Sequence, residues 1–319
     1  MENYTVCQLQ KDVRFEGFLL VRTAEKRRDS RGSEYVDLNL ADRTGEINCK
    51  IWNWDDSQAV PSGGSVIWLR GTVQEYNGRL QLRVEKWRKA SAEDAVDMNR
   101  LVPCAPRSPE EMLGEIRKTV DAFQSEALRK LTAEMLKQAG EELLWFPAAQ
   151  RMHHAERSGL LHHTTDMLRI AKGLLEVYPW LNRDLLLAGV ILHDLGKITE
   201  FKSDASGNVS DYTRDGQLLG HLVRGITWLH RAAEATGVQG EPLILLEHML
   251  LSHHGETEYG SPKPPMFPEA EALHWIDMMD SRMNTMKTAL DKTPPGAFSE
   301  KIYSLERRVY HPYYRDDAE

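Results

Sequence analysis

The feature that most constrains this chain is a change of hydrophobic period part-way along it. Val36, Leu38 and Leu40 alternate with Tyr35, Asp37 and Asn39, and Ile47, Cys49 and Ile51 alternate with Asn48, Lys50 and Trp52. This two-residue repeat places one face of a strand against a core. After Glu93 the repeat becomes helical, with Met112, Ile116, Val120 and Phe123 followed by Leu128, Leu131, Met135 and Leu136. Turn signals at Asp42-Arg43-Thr44-Gly45, Pro61-Ser62-Gly63-Gly64 and Asn77-Gly78 divide the first part into about five short strands, enough for a small barrel. The two periods predict an N-terminal all-β barrel over residues 1–90 and an all-α domain over 146–319. Between them, 91–145 is read as a linker with connecting helices. Pro103, Pro106 and Pro109 stiffen this connection, and Ser108 is the expected N-cap of the first helix.

Composition narrows the class. The 319 residues are 41% hydrophobic and 28% charged, with a net charge of -8, which excludes disorder, collagen and coiled coil. The longest apolar run, Leu185 to Leu192, is far short of the roughly 20 residues needed to cross a bilayer. The start, Met1 to Val13, has no apolar secretory core. A cytoplasmic protein without a membrane partner is expected. Cys7, Cys49 and Cys104 form no CxxC and cannot all pair, so neither a disulfide framework nor a thiolate zinc site is expected.

Chemistry concentrates in the helical part. His163, His193-Asp194, His221, His253 and Asp277 fall in five successive helical segments. His163 shares a face with Leu160 and Met167, His193 with Leu186 and Val190, and Asp194 with Ile191. His221 follows Leu218, His253 follows Met249 and Leu250, and Asp277 follows Leu273. Gly196 is read as the end of the helix carrying His193 and Asp194. A single inward histidine is usually a satisfied core residue. Five such segments together are different, because burying that many polar groups without a cation costs several kcal/mol per charge. Imidazole with carboxylate suits Mn, Fe, Co, Ni or Zn, and an Asp beside a His on one helix can bridge two ions. Two such divalent ions suit hydrolysis of a phosphoryl ester, and His with Asp alone leaves the choice among these metals open.

His193-Asp194-Leu195-Gly196-Lys197, with Gly159-Leu160-Leu161-His162-His163-Thr164, Gly220-His221, Ser252-His253-His254-Gly255-Glu256 and Ile276-Asp277-Met278-Met279-Asp280-Ser281-Arg282, resembles the HD-domain metal-dependent phosphohydrolases. Behind a small barrel, the set resembles the YhaM-type 3′-to-5′ exoribonucleases, an OB-fold followed by an HD domain, over essentially the whole chain. The resemblance implies metal ligands at His163, His193, Asp194, His221, His253 and Asp277, with His254 rivalling or assisting His253. Ser158-Gly159-Leu160-Leu161-His162-His163 stands where the family is expected to have Gly-Gly-Leu-Leu-Glu-His, so His162 competes with His163. His153 and His154 also resemble the family pattern and are assigned to phosphate contact or ligand support.

Lys197, Arg224 and Arg282 follow ligand segments and are candidates to meet phosphate charge, Lys197 foremost. Asp280 is expected to orient a histidine or to pair with Arg282. On the barrel, Tyr35, Lys50, Trp52 and Trp54 interleave aromatics with a cation, as stacking of unpaired bases requires. The basic run Lys26, Arg27, Arg28 and Arg31 is expected in a loop between the first two strands, where OB-folds grip oligonucleotides. Trp52 and Trp54 could instead pack against the helical domain.

The functional expectation is a metal-dependent exoribonuclease acting on single-stranded RNA, with DNA also compatible, and releasing 5′-mononucleotides. The release of 5′-mononucleotides and the 3′-to-5′ polarity are what the resemblance implies. Two rivals stand beside it. One is an HD phosphohydrolase of nucleotides or cyclic dinucleotides with a regulatory barrel, and the other is a nonenzymatic nucleic-acid-binding protein. A homo-oligomer is compatible with the sequence. Residues 1–90 carry 15 Lys and Arg against 13 Asp and Glu, so the acidity resides in the remainder, where two divalent cations would offset it.

Overall fold

The computed structural model describes residues 4–29, 32–52, 54, 59–150, 154–256 and 260–313. The chain forms two compact units that divide between Cys104 and Ala105.

The first unit is a closed barrel of β1 (Arg14–Arg28), β2 (Glu34–Asp42), β3 (Gly45–Trp52), β4 (Val66–Tyr76) and β5 (Arg79–Lys89), in the order β1-β2-β3-β5-β4. Closure comes from a short parallel pairing of β3 with β5, Cys49 opposite Leu82. Every other pairing is antiparallel. The alternating residues fill the barrel: Val36, Leu38, Leu40, Ile47, Cys49 and Ile51 are buried with Leu19, Leu69 and Val73. Asn77-Gly78 turns β4 into β5. Residues 91–104 belong to this unit, and Leu101 and Val102 bury against Leu20.

The second unit comprises α1 (Pro109–Asp121), α2 (Glu126–Ala139), α3 (Gly159–Val177), α4 (Arg183–Leu192), the single turn α5 (Lys197–Glu200), α6 (Arg214–Thr236), α7 (Glu241–Ser252) and α8 (Pro268–Leu290). Ser108 caps α1 by accepting the Glu111 N–H at 3.2 Å. Rather than merely connecting, α1 and α2 contribute Met112, Ile116, Leu131 and Met135 to the same core as Leu160, Leu186, Leu229, Met249 and Leu273.

This half is not purely helical. A two-stranded hairpin, β6 (Phe201–Ser203) with β7 (Val209–Tyr212), sits between α5 and α6. Its strands are too short to impose a visible period. α6 is broken at Gly220, whose φ of 69° and ψ of 169° lie outside any helix. Among the described residues no helix is long and apolar enough to cross a membrane.

Candidate metal centre and nucleic-acid interface

Asp194 is the hub of the helical unit. It lies in the turn between α4 and α5 with its two oxygens facing different histidines. Oδ2 is 3.3 Å from His193 Nε2 and 3.8 Å from His163 Nε2. Oδ1 is 3.7 Å from His221 Nε2 and 3.8 Å from His253 Nε2. His163 Nε2 is also 3.3 Å from Asp277 Oδ1, and His221 Nε2 is 3.3 Å from His254 Nε2. Two ligand groups result: His163, His193 and Asp277 on one side, and His221, His253 and His254 on the other. The segments expected to converge do so, and His254 joins His253 rather than replacing it.

The imidazoles are aimed by their other nitrogens. His193 Nδ1 faces the Val190 carbonyl at 2.9 Å and His253 Nδ1 the Leu250 carbonyl at 2.8 Å. His163 Nδ1 meets Asp280 Oδ2 at 2.7 Å, and the same oxygen is 2.8 Å from His154 Nε2. Asp280 therefore orients a histidine, with no pairing to Arg282, and His154 supports Asp280. His162 turns away, its Nδ1 2.7 Å from Glu156 and its Nε2 3.2 Å from Asp166, which removes it as a rival to His163. His153 lies outside the described residues.

Charge in this pocket is balanced internally. Burial opposes ionisation of Asp194, but Lys197, whose Nζ is 2.6 Å from Oδ2, and His193 hold its carboxyl well below the usual range. Burial likewise works against Asp277, yet His163 keeps it low. Burial would lower the His163 imidazole, but Asp277 and Asp280 raise it to about 10. His253 is pushed well down, by burial first and then by His254 and His193.

The donor set itself fits a metal. The Nε2 atoms of His193 and His253 and Oδ1 of Asp194 are buried without a hydrogen-bond partner among the described residues. Such atoms cost about 1–3 kcal/mol each when left unmade. His193, Asp194 and His253 each offer a ligand atom within 4.8 Å of the others, so the residues fit a divalent metal.

Two features of the site depart from the sequence expectation. Gly196 has right-handed helical dihedrals and is not a left-handed helix end. A Cβ there would lie 2.2 Å from the His221 carbonyl oxygen and 2.8 Å from the Gly225 nitrogen, so the glycine lets the His193–Asp194 turn touch α6. Leu218 is exposed, and His221 is turned inward by the break at Gly220 rather than by sharing an apolar face with Leu218. The sequence reading also missed Glu200, which is buried and lies 3.0 Å from His221 Nδ1. Its place between Ile198 and Phe201, both buried, was the only available signal.

Of the cations near the ligands, Lys197 is committed to Asp194, and Arg224 reaches Thr199 at 3.4 Å and Asp215 at 3.6 Å. Arg282 is half-buried and forms no ion pair among the described residues.

On the barrel, Tyr35 and Trp52 stack at 4.8 Å, with Lys50 Nζ 5.0 Å from the Tyr35 ring and Trp52 44% exposed. Trp54 leaves this group: it is 9% exposed and stacks on Trp87 at 5.5 Å, in the barrel's own core. Lys26, Arg27 and Arg28 are not in a loop, because β1 continues through Arg28 by pairing with β2. They carry ion pairs with Glu34, with Glu25 and Asp37, and with Glu34, respectively. Arg31 lies outside the described residues.

Closed barrel and clustered histidines together define an OB-fold joined to a metal-dependent HD phosphohydrolase domain. Family models agree: residues 13–90 match an OB-fold nucleic acid binding domain and residues 160–282 an HD domain. Among curated proteins, the chain is 41% identical to the 3′-5′ exoribonuclease YhaM of Geobacillus sp., covering 92% of this chain and 90% of that one. It is 40% identical to the proteins of the same name from Listeria innocua, covering 93% and 94% of the two chains, and Shouchella clausii, covering 93% and 92%. The chain belongs to the YhaM 3′-5′ exoribonuclease family.

Proposed function

We propose that this chain is a metal-dependent 3′-to-5′ exoribonuclease that shortens single-stranded RNA and releases 5′-mononucleotides. The observation that carries the reading is the pair of ligand groups that meet at Asp194, with buried donor atoms left unmade. The family supplies RNA as substrate and the polarity.

His163, His193 and Asp277 would hold one divalent ion, and His221, His253 and His254 the other, with Asp194 between them. Manganese is the first expectation, with Co, Fe, Ni or Zn satisfying the same donors. Such ions would activate water and neutralise charge developing on the phosphoryl oxygens. Asp280 and His154 keep His163 Nε2 facing Asp194 and Asp277. Lys197 and Asp194 hold each other, leaving Arg282 and, after release from Asp215, Arg224 to meet a phosphate. Tyr35, Lys50 and Trp52 offer a stacking platform for bases. The functional division would be a barrel over 1–90 and an HD domain over 146–319, with 91–145 completing the two packed units, 91–104 with the barrel and α1 and α2 with the helices. A cytoplasmic location suits an RNA substrate, with DNA a secondary one. Assembly into a homo-oligomer is compatible with this reading.

The test is a single-stranded RNA labelled at its 5′ end, incubated with Mn²⁺. A ladder shortening from the 3′ end, abolished by EDTA and by Asp194→Ala, is expected. No shortening, or an unchanged rate with Asp194→Ala, overturns the reading. Turnover of small nucleotides that ignores Tyr35→Ala and Trp52→Ala would favour the nucleotide phosphohydrolase. Tight RNA binding without hydrolysis under any divalent ion would favour the nonenzymatic binder.

A further inference from the structure

We infer that Glu200 is a positioning residue that builds the second half of the metal centre by fixing His221, an inference that rests on the two-ion reading above. Glu200 is buried, and its carboxylate grips one residue twice. Oε1 accepts the His221 backbone N–H at 3.2 Å, and Oε2 lies 3.0 Å from His221 Nδ1. With Nδ1–H committed to a carboxylate, Nε2 is left as a lone-pair donor. It points towards Asp194 Oδ1 at 3.7 Å and His254 Nε2 at 3.3 Å.

The backbone is shaped for this grip. Gly220 takes a left-handed φ of 69° that interrupts α6 just before His221, freeing the His221 N–H from the helical ladder. Glu200 is held in turn, because its carbonyl accepts the Thr213 N–H at 2.8 Å. A Cβ on Gly216 would lie 2.2 Å from that same oxygen, so the corner between α5 and α6 is closely packed.

The arrangement also makes the two ligand groups alike. His193 and His253 are aimed by neutral backbone carbonyls, whereas His163 is backed by Asp280 and His221 by Glu200. Each group therefore contains one imidazole held by a carboxylate and one held by a main-chain carbonyl. Glu200 does for the second group what Asp280 does for the first.

The experiment counts Mn²⁺ bound to the full chain by calorimetry and elemental analysis, alongside melting of the metal-free protein. The variants are Glu200→Gln, Glu200→Ala, Gly220→Ala, His221→Ala and the double variant Glu200→Gln/His221→Ala. Wild type is expected to bind two ions. Glu200→Gln is expected to weaken one of them about 10- to 100-fold and leave the other unchanged. His221→Ala should weaken the same ion, and the double variant should lose no more than His221→Ala alone. Gly220→Ala, which strikes the backbone and leaves the carboxylate, should reproduce the selective loss.

Two ions bound with unchanged affinity in Glu200→Gln overturn the role of Glu200 alone. So do losses that add in the double variant, or equal weakening of both ions with a lowered metal-free melting point, which is what a merely structural residue would give. A wild-type chain that binds a single ion overturns the two-ion reading, and the role of Glu200 with it.

Discussion

The ion pair between Asp194 and Lys197 offers a measurement that separates the architecture of the site from its chemistry. Lys197 Nζ is 2.6 Å from Asp194 Oδ2, with the two side chains only 12% and 4% exposed. Replacing Asp194 by alanine leaves the ammonium in a pocket with little water. Breaking a buried pair from one side costs about 3–5 kcal/mol. Two features pull the value towards the lower end. Asp277 and Glu200 also favour the Lys197 charge, and removing Asp194 relieves its repulsion of Asp277.

A loss of about 3 kcal/mol should lower the melting temperature of a helical unit of this size by roughly 6–12 °C. The assay is a thermal melt followed by far-ultraviolet circular dichroism in EDTA, so that metal binding contributes nothing. Lys197→Met in the Asp194→Ala background removes the stranded charge and fills similar volume, and should restore most of the loss. Nuclease activity should stay absent in both variants. A metal-free melting point for Asp194→Ala within a degree or two of wild type, or a double variant no more stable than the single, would refute the argument that this pair holds the empty site together.

Four further outcomes follow from the geometry. Trp52→Ala should weaken single-stranded RNA binding by about 1–3 kcal/mol per lost stack, read by fluorescence anisotropy. Trp54→Ala should instead destabilise the barrel by about 3–5 kcal/mol in a urea melt, because that ring is core. Gly196→Ala forces a Cβ against the His221 carbonyl, so a stability loss of about 1–3 kcal/mol should accompany a fall in turnover on the order of 100-fold, seen in parallel melts and rate measurements. Of the thiols, Cys7 is exposed and its pKa is lowered by hydrogen bonds from Thr5 and Thr44, whereas burial pushes the Cys49 thiol up. A disulfide-exchange reagent should therefore modify Cys7 first, in a fast phase that Cys7→Ser abolishes, and reach Cys49 only on unfolding.

The sequence by itself determined the two architectures and most of the side chains that gather around Asp194, because both are written in local spacing. Alternation at Val36, Leu38 and Leu40 can bury one face only as a strand, and helical spacing puts His163 and Asp277 on α3 and α8 and His193 and His253 just past the ends of α4 and α7, beside their apolar neighbours. Only the tertiary structure decided how those ligands are aimed and what is excluded from the site. Antiparallel pairing with β2 drew Lys26, Arg27 and Arg28 into a strand, and Trp87 drew Trp54 into the core. Gly196 is a glycine because a distant helix presses on it, and His221 faces inward because Gly220 breaks α6. Glu200, in a short turn before a hairpin too brief to show a period, becomes a partner of His221 across 21 residues of sequence. Such contacts join residues remote in the chain, and their energies depend on distance and burial, quantities that no local pattern of residue types contains.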